Sequence, residues 1–224
     1  MKYFIANWKA NKNEKEADSW AQSFLGLIEK DDVLQKSIDK TEIEIVVCPP
    51  FPFISTVKSL LKESSVKIGA QDISYFGGGA YTGEVSARML TGVIDYVLVG
   101  HSERRQYFHE KDYTIDQKVA NAKEAGIEPI LCVRGNHDVI PGGVGIVAYE
   151  PVEAIGSGAN QPVEKTLEMR SGLHIGRDTA FLYGGSVTED NALEYVGQDK
   201  IDGLLVGGAS LDPGRFYKII NSAL

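Results

Sequence analysis

The residues from Val147 to Gly158 join an apolar run, an acid and a glycine-bearing loop. Glu150 follows Val147-Ala148-Tyr149, and Pro151 behind it cannot continue a backbone ladder. A carboxylate placed there stands at the mouth of a buried sheet, where it could act as a general base. Ala154-Ile155-Gly156-Ser157-Gly158 sets an apolar tip between small residues, the composition of a loop that closes over a ligand and excludes water. A turn carrying a solvated glutamate fits these residues equally well, so other stretches must decide.

Four further segments carry polar groups out of apolar runs. Asn7-Trp8-Lys9 ends the first, offering an amide and an ammonium. A lone lysine after a strand is ordinarily solvated, and Trp8 reads as packing. Gly100-His101-Ser102-Glu103 leaves the fourth strand and has the capping composition of a helix start. A histidine at a helix N-terminus is biased towards its neutral form, able to donate one hydrogen bond to a carbonyl and to shuttle a proton. A histidine satisfied in a strand-end network is the alternative. No second His, Cys or Asp stands at ligand spacing, so no metal is expected. Tyr183-Gly184-Gly185-Ser186 and Val206-Gly207-Gly208-Ala209-Ser210 each follow a late strand; paired glycines expose N–H groups to an anion. Two tight strand-to-helix turns would look the same.

Positioning these groups requires strands that end on one side. Lys2 to Asn7, Glu42 to Cys48, Val66 to Ala70, Tyr96 to Val99, Ile127 to Val133, Gly145 to Tyr149, Ala180 to Tyr183 and Gly203 to Val206 are eight short apolar runs. Most are separated by segments of helical periodicity, such as Glu14 to Glu29 with Trp20, Phe24, Leu27 and Ile28 on one face, or Asp112 to Ala125. Continuous apolar strands alternating with helices mean a parallel sheet buried on both faces. Eight such units predict a single-domain α/β fold, a (β/α)8 barrel spanning residues 1–224, in which loops after strands seven and eight commonly take phosphate. Residues 134–144 are too few for a helix, but extended they reach about 35 Å, enough to return to the next strand. The helix after the fifth strand is therefore predicted to be missing, with Val139 and Ile140 covering the bared wall.

Composition narrows the partners. The 224 residues hold 24 glycines without a linker-like cluster, a hydrophobic fraction of 43%, a charged fraction of 24% and a net charge of -8. That charge argues against nucleic acid or an anionic membrane as partner. Cys48 and Cys132 end apolar runs and read as buried thiols of a reducing, cytoplasmic compartment. No apolar run approaches the ~20 residues of a membrane span.

Taken together, Asn7-Trp8-Lys9, Gly100-His101-Ser102-Glu103-Arg104-Arg105, Ala148-Tyr149-Glu150-Pro151-Val152, Ala154-Ile155-Gly156-Ser157-Gly158, Tyr183-Gly184-Gly185-Ser186-Val187 and Gly207-Gly208-Ala209-Ser210-Leu211 resemble the triosephosphate isomerase family in order and spacing along nearly the whole chain. The resemblance implies a cofactor-free isomerase of glycolysis and gluconeogenesis, interconverting dihydroxyacetone phosphate and glyceraldehyde 3-phosphate. It makes Glu150 the base, His101 the neutral electrophile, and Asn7, Lys9 and Glu103 the rest of the catalytic set. Gly156, Ser186, Gly207 and Gly208 would hold the phosphate, while Ile155, Leu205 and Tyr183 would enclose the site. It further implies a homodimer through residues 72–84, with Thr82 reaching the partner's site. The sequence departs from the family at Glu153, where a loop tryptophan is usual, and at Val133-Arg134-Gly135 after the fifth strand. A pairing of Glu153 with Arg134 or His137 would link the two changes. A sugar-phosphate epimerase or lyase barrel would lack the Lys9, His101 and Glu150 combination, and a catalytically silent phosphate-binding protein would have no need of it.

Overall fold

The computed structural model describes residues 1–151 and 160–224. Eight strands, β1 (Lys2–Asn7), β2 (Ile43–Cys48), β3 (Lys67–Ala70), β4 (Tyr96–Val99), β5 (Glu128–Val133), β6 (Ile146–Tyr149), β7 (Ala180–Tyr183) and β8 (Gly203–Val206), close in chain order into a parallel barrel. β1 pairs with both β2 and β8, which removes every sheet edge. Ile5, Val46, Leu98, Ile130, Ile146, Leu182 and Leu205 fill the barrel interior, while Phe4, Val47, Val99, Leu131, Val147 and Phe181 pack outwards. Burial on both faces is the physical reason these strands read as unbroken apolar runs.

The outer layer consists of α1 (Glu14–Ile28), α2 (Asp32–Asp39), α3 (Ile54–Leu61), α4 (Ser102–Tyr107), α5 (Asp112–Glu124), α6 (Val163–Gly172), α7 (Ala192–Val196) and α8 (Pro213–Asn221). Local chemistry fixes several starts. Asn13 and Glu16 form a reciprocal capping box at α1, and Asp212 caps α8 ahead of Pro213. Trp20, Phe24 and Phe216 then meet at tilts of 32–38° between α1 and α8. Trp8 is fully buried edge-on to Trp20 at 4.8 Å, the packing role expected of it. Between β3 and β4 the chain forms a single 3-10 turn, Ala87–Leu90, and no α-helix.

Residues 134–145 link β5 to β6 without a helix, as the length of that segment requires. The covering of the wall differs in part from expectation. Ile140 packs against the core, but Val139 is 54% exposed, and Val144 takes the buried position. A tight turn causes this: Asp138 N–H bonds to Gly135 O at 3.2 Å, and the Asp138 carboxylate accepts Arg134 N at 2.7 Å. That turn directs Asp138 inwards and its neighbour Val139 outwards. Arg134 is thereby engaged by Asp138, while Glu153, its expected partner, lies outside the described residues.

The loop over 72–84 is tied down by Ser74 N to Val85 O at 2.8 Å and Asn121 Nδ2 to Tyr75 O at 2.9 Å. Its aromatics stack on one another, Tyr75 on Phe76 and Phe76 on Tyr81 at 3.6 Å, so only Tyr81 is left largely exposed. Both cysteines are free and buried. Among the described residues no helix is long and apolar enough to cross a membrane.

Candidate active site

Every polar group singled out from the sequence and described here sits at the C-terminal end of the barrel, except Thr82, which is exposed on the 72–84 loop. Asn7 and Lys9 come from β1, His101 and Glu103 from the turn into α4, Glu150 from the end of β6, Ser186 from beyond β7, and Gly207 and Gly208 from β8. Asn7, Lys9, His101, Glu150, Ser186, Gly207 and Gly208 line one cavity of about 340 Å³, with Leu205 as part of its apolar wall. Ile155 and Gly156 lie outside the described residues.

Glu150 is 1% exposed, and its backbone continues the ladder past the strand: Glu150 N–H bonds to Val133 O at 2.8 Å. Its carboxylate is held on both oxygens. Oε1 lies 2.7 Å from His101 Nε2, and Oε2 accepts Ser102 N at 2.8 Å, a donor at the first turn of α4. Such charge-assisted bonds offset much of the cost of burying a carboxylate. Gly184 makes the approach possible, since a Cβ there would meet Glu150 Cγ at 3.3 Å. Burial, and then the neighbouring Glu150 carboxylate, push the Cys132 thiol well above its ordinary range, so it stays a neutral neighbour.

His101 caps α4 with its ring. Nδ1 accepts Glu103 N at 3.2 Å, which places the ring proton of the neutral imidazole on Nε2, facing Glu150 and the cavity. Lys9 holds a positive backbone φ of 54°, a conformation that non-glycine residues adopt at a cost. Asn7 Oδ1 accepts its N–H at 3.0 Å and Gln71 Nε2 donates to its carbonyl at 2.9 Å. Two side chains thus over-determine the strained residue, and its Nζ reaches Glu103 Oε1 at 2.6 Å. Glu103 does not line the cavity but orients the lysine that does.

At the glycine-rich end, Asn191 shapes the turn after β7, donating to Ser186 O at 3.0 Å and accepting Thr188 N at 2.9 Å. Ser210 closes the turn after β8 on Gly207 O at 2.7 Å. Tyr183 stands behind the cavity, its hydroxyl accepting Gln161 N at 3.0 Å. Arg215 also lines the cavity and is bound by Glu189 at 3.0 Å. Sequence reasoning missed Gln71, Ser102 as a donor, Asn191 and Arg215. Gln71, Ser102 and Arg215 act through contacts between separate segments and Asn191 within its own turn; only the capping composition at Ser102 hinted at one of them. Both cavity cations carry a carboxylate partner, so an anion in this cavity must draw on backbone N–H groups as well. Among the described residues no group of three or more His, Cys, Asp or Glu is placed to hold a metal ion.

A (β/α)8 barrel with a buried acid, an imidazole and a lysine at its mouth defines an enzyme of acid–base chemistry on a small anionic substrate. The sequence model for triosephosphate isomerase matches residues 2–139 and 143–223. The chain belongs to the triosephosphate isomerase family. It is 37% identical to the triosephosphate isomerase of Alkaliphilus oremlandii (strain OhILAs), with 96% of each chain covered. It is 38% identical to those of Synechocystis sp., with 96% of each covered, and Aquifex aeolicus, with 97% of each covered. The first alignment spans 249 positions, more than the 224 residues of this chain, so this chain lacks internal segments that the relative carries.

Proposed function

We propose that this chain interconverts dihydroxyacetone phosphate and glyceraldehyde 3-phosphate, with Glu150 as the base that moves one proton between adjacent carbons. The observation that carries the assignment is the buried Glu150 carboxylate shared between His101 Nε2 and Ser102 N at the mouth of the barrel. In this resting arrangement both oxygens are occupied. Substrate takes the His101 bond for its own carbonyl oxygen, releasing Glu150 Oε1 towards the carbon it deprotonates. Abstraction leaves an enediolate, whose charge falls between the Nε2–H of His101 and the ammonium of Lys9, with Asn7 alongside. His101 relays a proton between the two oxygens, and Glu150 returns its proton to the neighbouring carbon. This division between a glutamate base and a neutral histidine is the established one for triosephosphate isomerases. Ser186, Gly207 and Gly208, with Gly156 from the undescribed segment, hold the phosphate through backbone N–H groups. Leu205 on the cavity wall keeps water from the base.

The chain works as a homodimer in the cytoplasm on this reading. Phe51, Phe108 and Tyr113 are exposed and, with residues of the 72–84 loop, line a groove of about 540 Å³. Exposed aromatics around a groove fit a partner's loop, which would carry Thr82 with it. Two free buried thiols suit a reducing compartment.

The decisive experiment is a coupled assay of the purified protein with glyceraldehyde 3-phosphate. Turnover is expected in wild type and lost in Glu150→Gln and His101→Gln variants of unchanged circular dichroism. Folded wild type without turnover, or either variant at wild-type rate, would refute the assignment.

A further inference from the structure

The connection that replaces a helix after β5 places a carboxylate where the reaction can feel it. Asp138 has only 2% of its side chain exposed, yet it belongs to a short surface link. Its Oδ2 accepts Arg134 N at 2.7 Å and Arg134 Nε at 3.1 Å, its Oδ1 accepts Arg134 Nη2 at 2.6 Å, and Arg105 Nη1 lies 3.8 Å from Oδ1. His137, largely exposed, is a peripheral neighbour at 3.6 Å. Burial pushes the Asp138 carboxyl up, but the Arg134 hydrogen bonds and the nearby guanidinium of Arg105 outweigh it and hold the group below the ordinary carboxylate range.

Both arginines lead to the reacting pair. Arg105 is buried, and its Nε donates to Gly100 O at 2.9 Å while Nη2 reaches Cys132 O at 3.4 Å. Gly100 immediately precedes His101 and has a φ of +71°; a Cβ there would stand 3.1 Å from Arg105 Nη2. Arg105 therefore fixes the peptide unit that sets the direction of the imidazole. The other anion on Arg105, Asp112 at 3.0 Å, is half exposed and well solvated, so it holds the guanidinium weakly. On the second side, Arg134 N belongs to the residue after Val133, whose carbonyl binds Glu150 N. One carboxylate thus ties the exit of β5, which anchors Glu150, to the arginine that anchors the His101 turn.

We propose that Asp138 is a positioning residue for the isomerisation, holding the His101 turn and the Glu150 anchor in register through Arg105 and Arg134. It rests on the isomerase reading above. In a barrel without the fifth outer helix, this buried carboxylate supplies the rigidity at the β4–β5–β6 mouth. A displacement of about 1 Å in a reacting group costs up to about 100-fold in rate, so loosening this register lowers kcat rather than substrate binding.

The test compares Asp138→Asn, Arg105→Lys and the double variant with wild type in steady-state turnover of glyceraldehyde 3-phosphate. Wild-type turnover reports on the isomerase reading, and the variant-to-wild-type ratio reports on this one. Asp138→Asn is expected to lower kcat by about tenfold or more with KM within about twofold. The double variant is expected to lose little more than the worse single variant, because both act through one chain of contacts. A lowered melting temperature with wild-type kcat at 25 °C would make Asp138 merely structural and overturn the proposal. Strictly multiplicative losses in the double variant would overturn the route through Arg105. Should Asp138→Asn fail to fold, Arg105→Lys decides alone, since it leaves the Arg134–Asp138 pair in place: an unchanged kcat overturns the route.

Discussion

Tyr195→Phe isolates one hydroxyl that holds Gln161, just ahead of α6. The Tyr195 and Tyr183 rings are stacked at 3.9 Å with an interplanar angle of 6°, both fully buried. Their hydroxyls grip the same residue from opposite sides. Tyr195 donates to Gln161 O at 2.5 Å, Tyr183 accepts Gln161 N at 3.0 Å, and Asn160 Nδ2 donates to Tyr195 at 3.1 Å. Phenylalanine keeps the ring and its stack, so the change removes the hydroxyl bonds alone. Gln161 is half-buried, so water can partly replace the lost donor, and Asn160 is exposed and solvated at once. That puts the loss at about 1–2 kcal/mol, near the net worth of the hydrogen bonds. For a chain of this size the expected fall in melting temperature is about 2–8 °C by circular dichroism. Because both hydroxyls hold one residue, Tyr183→Phe combined with Tyr195→Phe should cost less than the sum of the two by about 0.5 kcal/mol or more. A shift below about 1 °C for Tyr195→Phe would show that its hydroxyl contributes nothing, and additive losses in the pair would show that the two hydroxyls do not act together.

Other sites give independent tests. Lys9→Met removes the cavity ammonium and frees Glu103, which is solvated; stability should change by less than about 1 kcal/mol while turnover falls about 100-fold or more. Wild-type melting temperature together with wild-type turnover would exclude Lys9 from the charge-stabilising role. Asp72 is paired with Lys118 and Arg104, yet its carboxyl is pushed up to about 6, because burial outweighs both cations and Glu110 adds to it. A folded value above the unfolded one means the folded state keeps the proton longer, so this group's contribution is full below pH ~4 and is lost as pH rises through about 6. Wild type measured against Asp72→Asn should lose on the order of 2–3 kcal/mol over that window, and parallel stability–pH curves would refute the shift. Tyr81→Glu places a charge on the exposed aromatic of the 72–84 loop; sedimentation should show a monomer where wild type is a dimer. A variant that remains dimeric would move the interface elsewhere.

The barrel was legible because its strands are buried on both faces, which leaves an unbroken apolar run for each one. The order of the polar residues after those runs then placed Asn7, Lys9, His101 and Glu150 at one mouth. What stayed hidden is short or held from a distance. α2 buries Leu34, Ser37 and Ile38 at helical spacing, but over eight residues and with a serine in the stripe. The long segment between β3 and β4 is held by contacts to distant side chains such as Asn121 and Lys118. The resting bond from Ser102 N to Glu150 belongs to a backbone group, on which residue identity is silent. Val139 and Val144 are alike in sequence, and only the Gly135–Asp138 turn decides which of them faces inwards.

That turn also explains how Glu150 keeps its place in a barrel that has no helix between β5 and β6. The position of Glu150 depends on the ladders at either side of β6. β5 and β6 pair from Ile130 with Ile146 to Val133 with Tyr149, and β6 and β7 from Ile146 with Ala180 to Tyr149 with Tyr183. Both ladders run one bond further, through Glu150 N to Val133 O and Gly184 N to Tyr149 O. Glu150 is therefore fixed from the inside of the fold, by backbone geometry that an outer helix does not supply. Val147 and Tyr149 are buried without such a helix, in the core cluster that also holds Val144 and against which Ile140 and, from α6, Leu167 and Met169 pack. The need that remains is to stop the β5 exit from fraying, since Val133 O is one of the two anchors. A buried carboxylate bound to the next backbone N–H meets that need with a turn of a few residues.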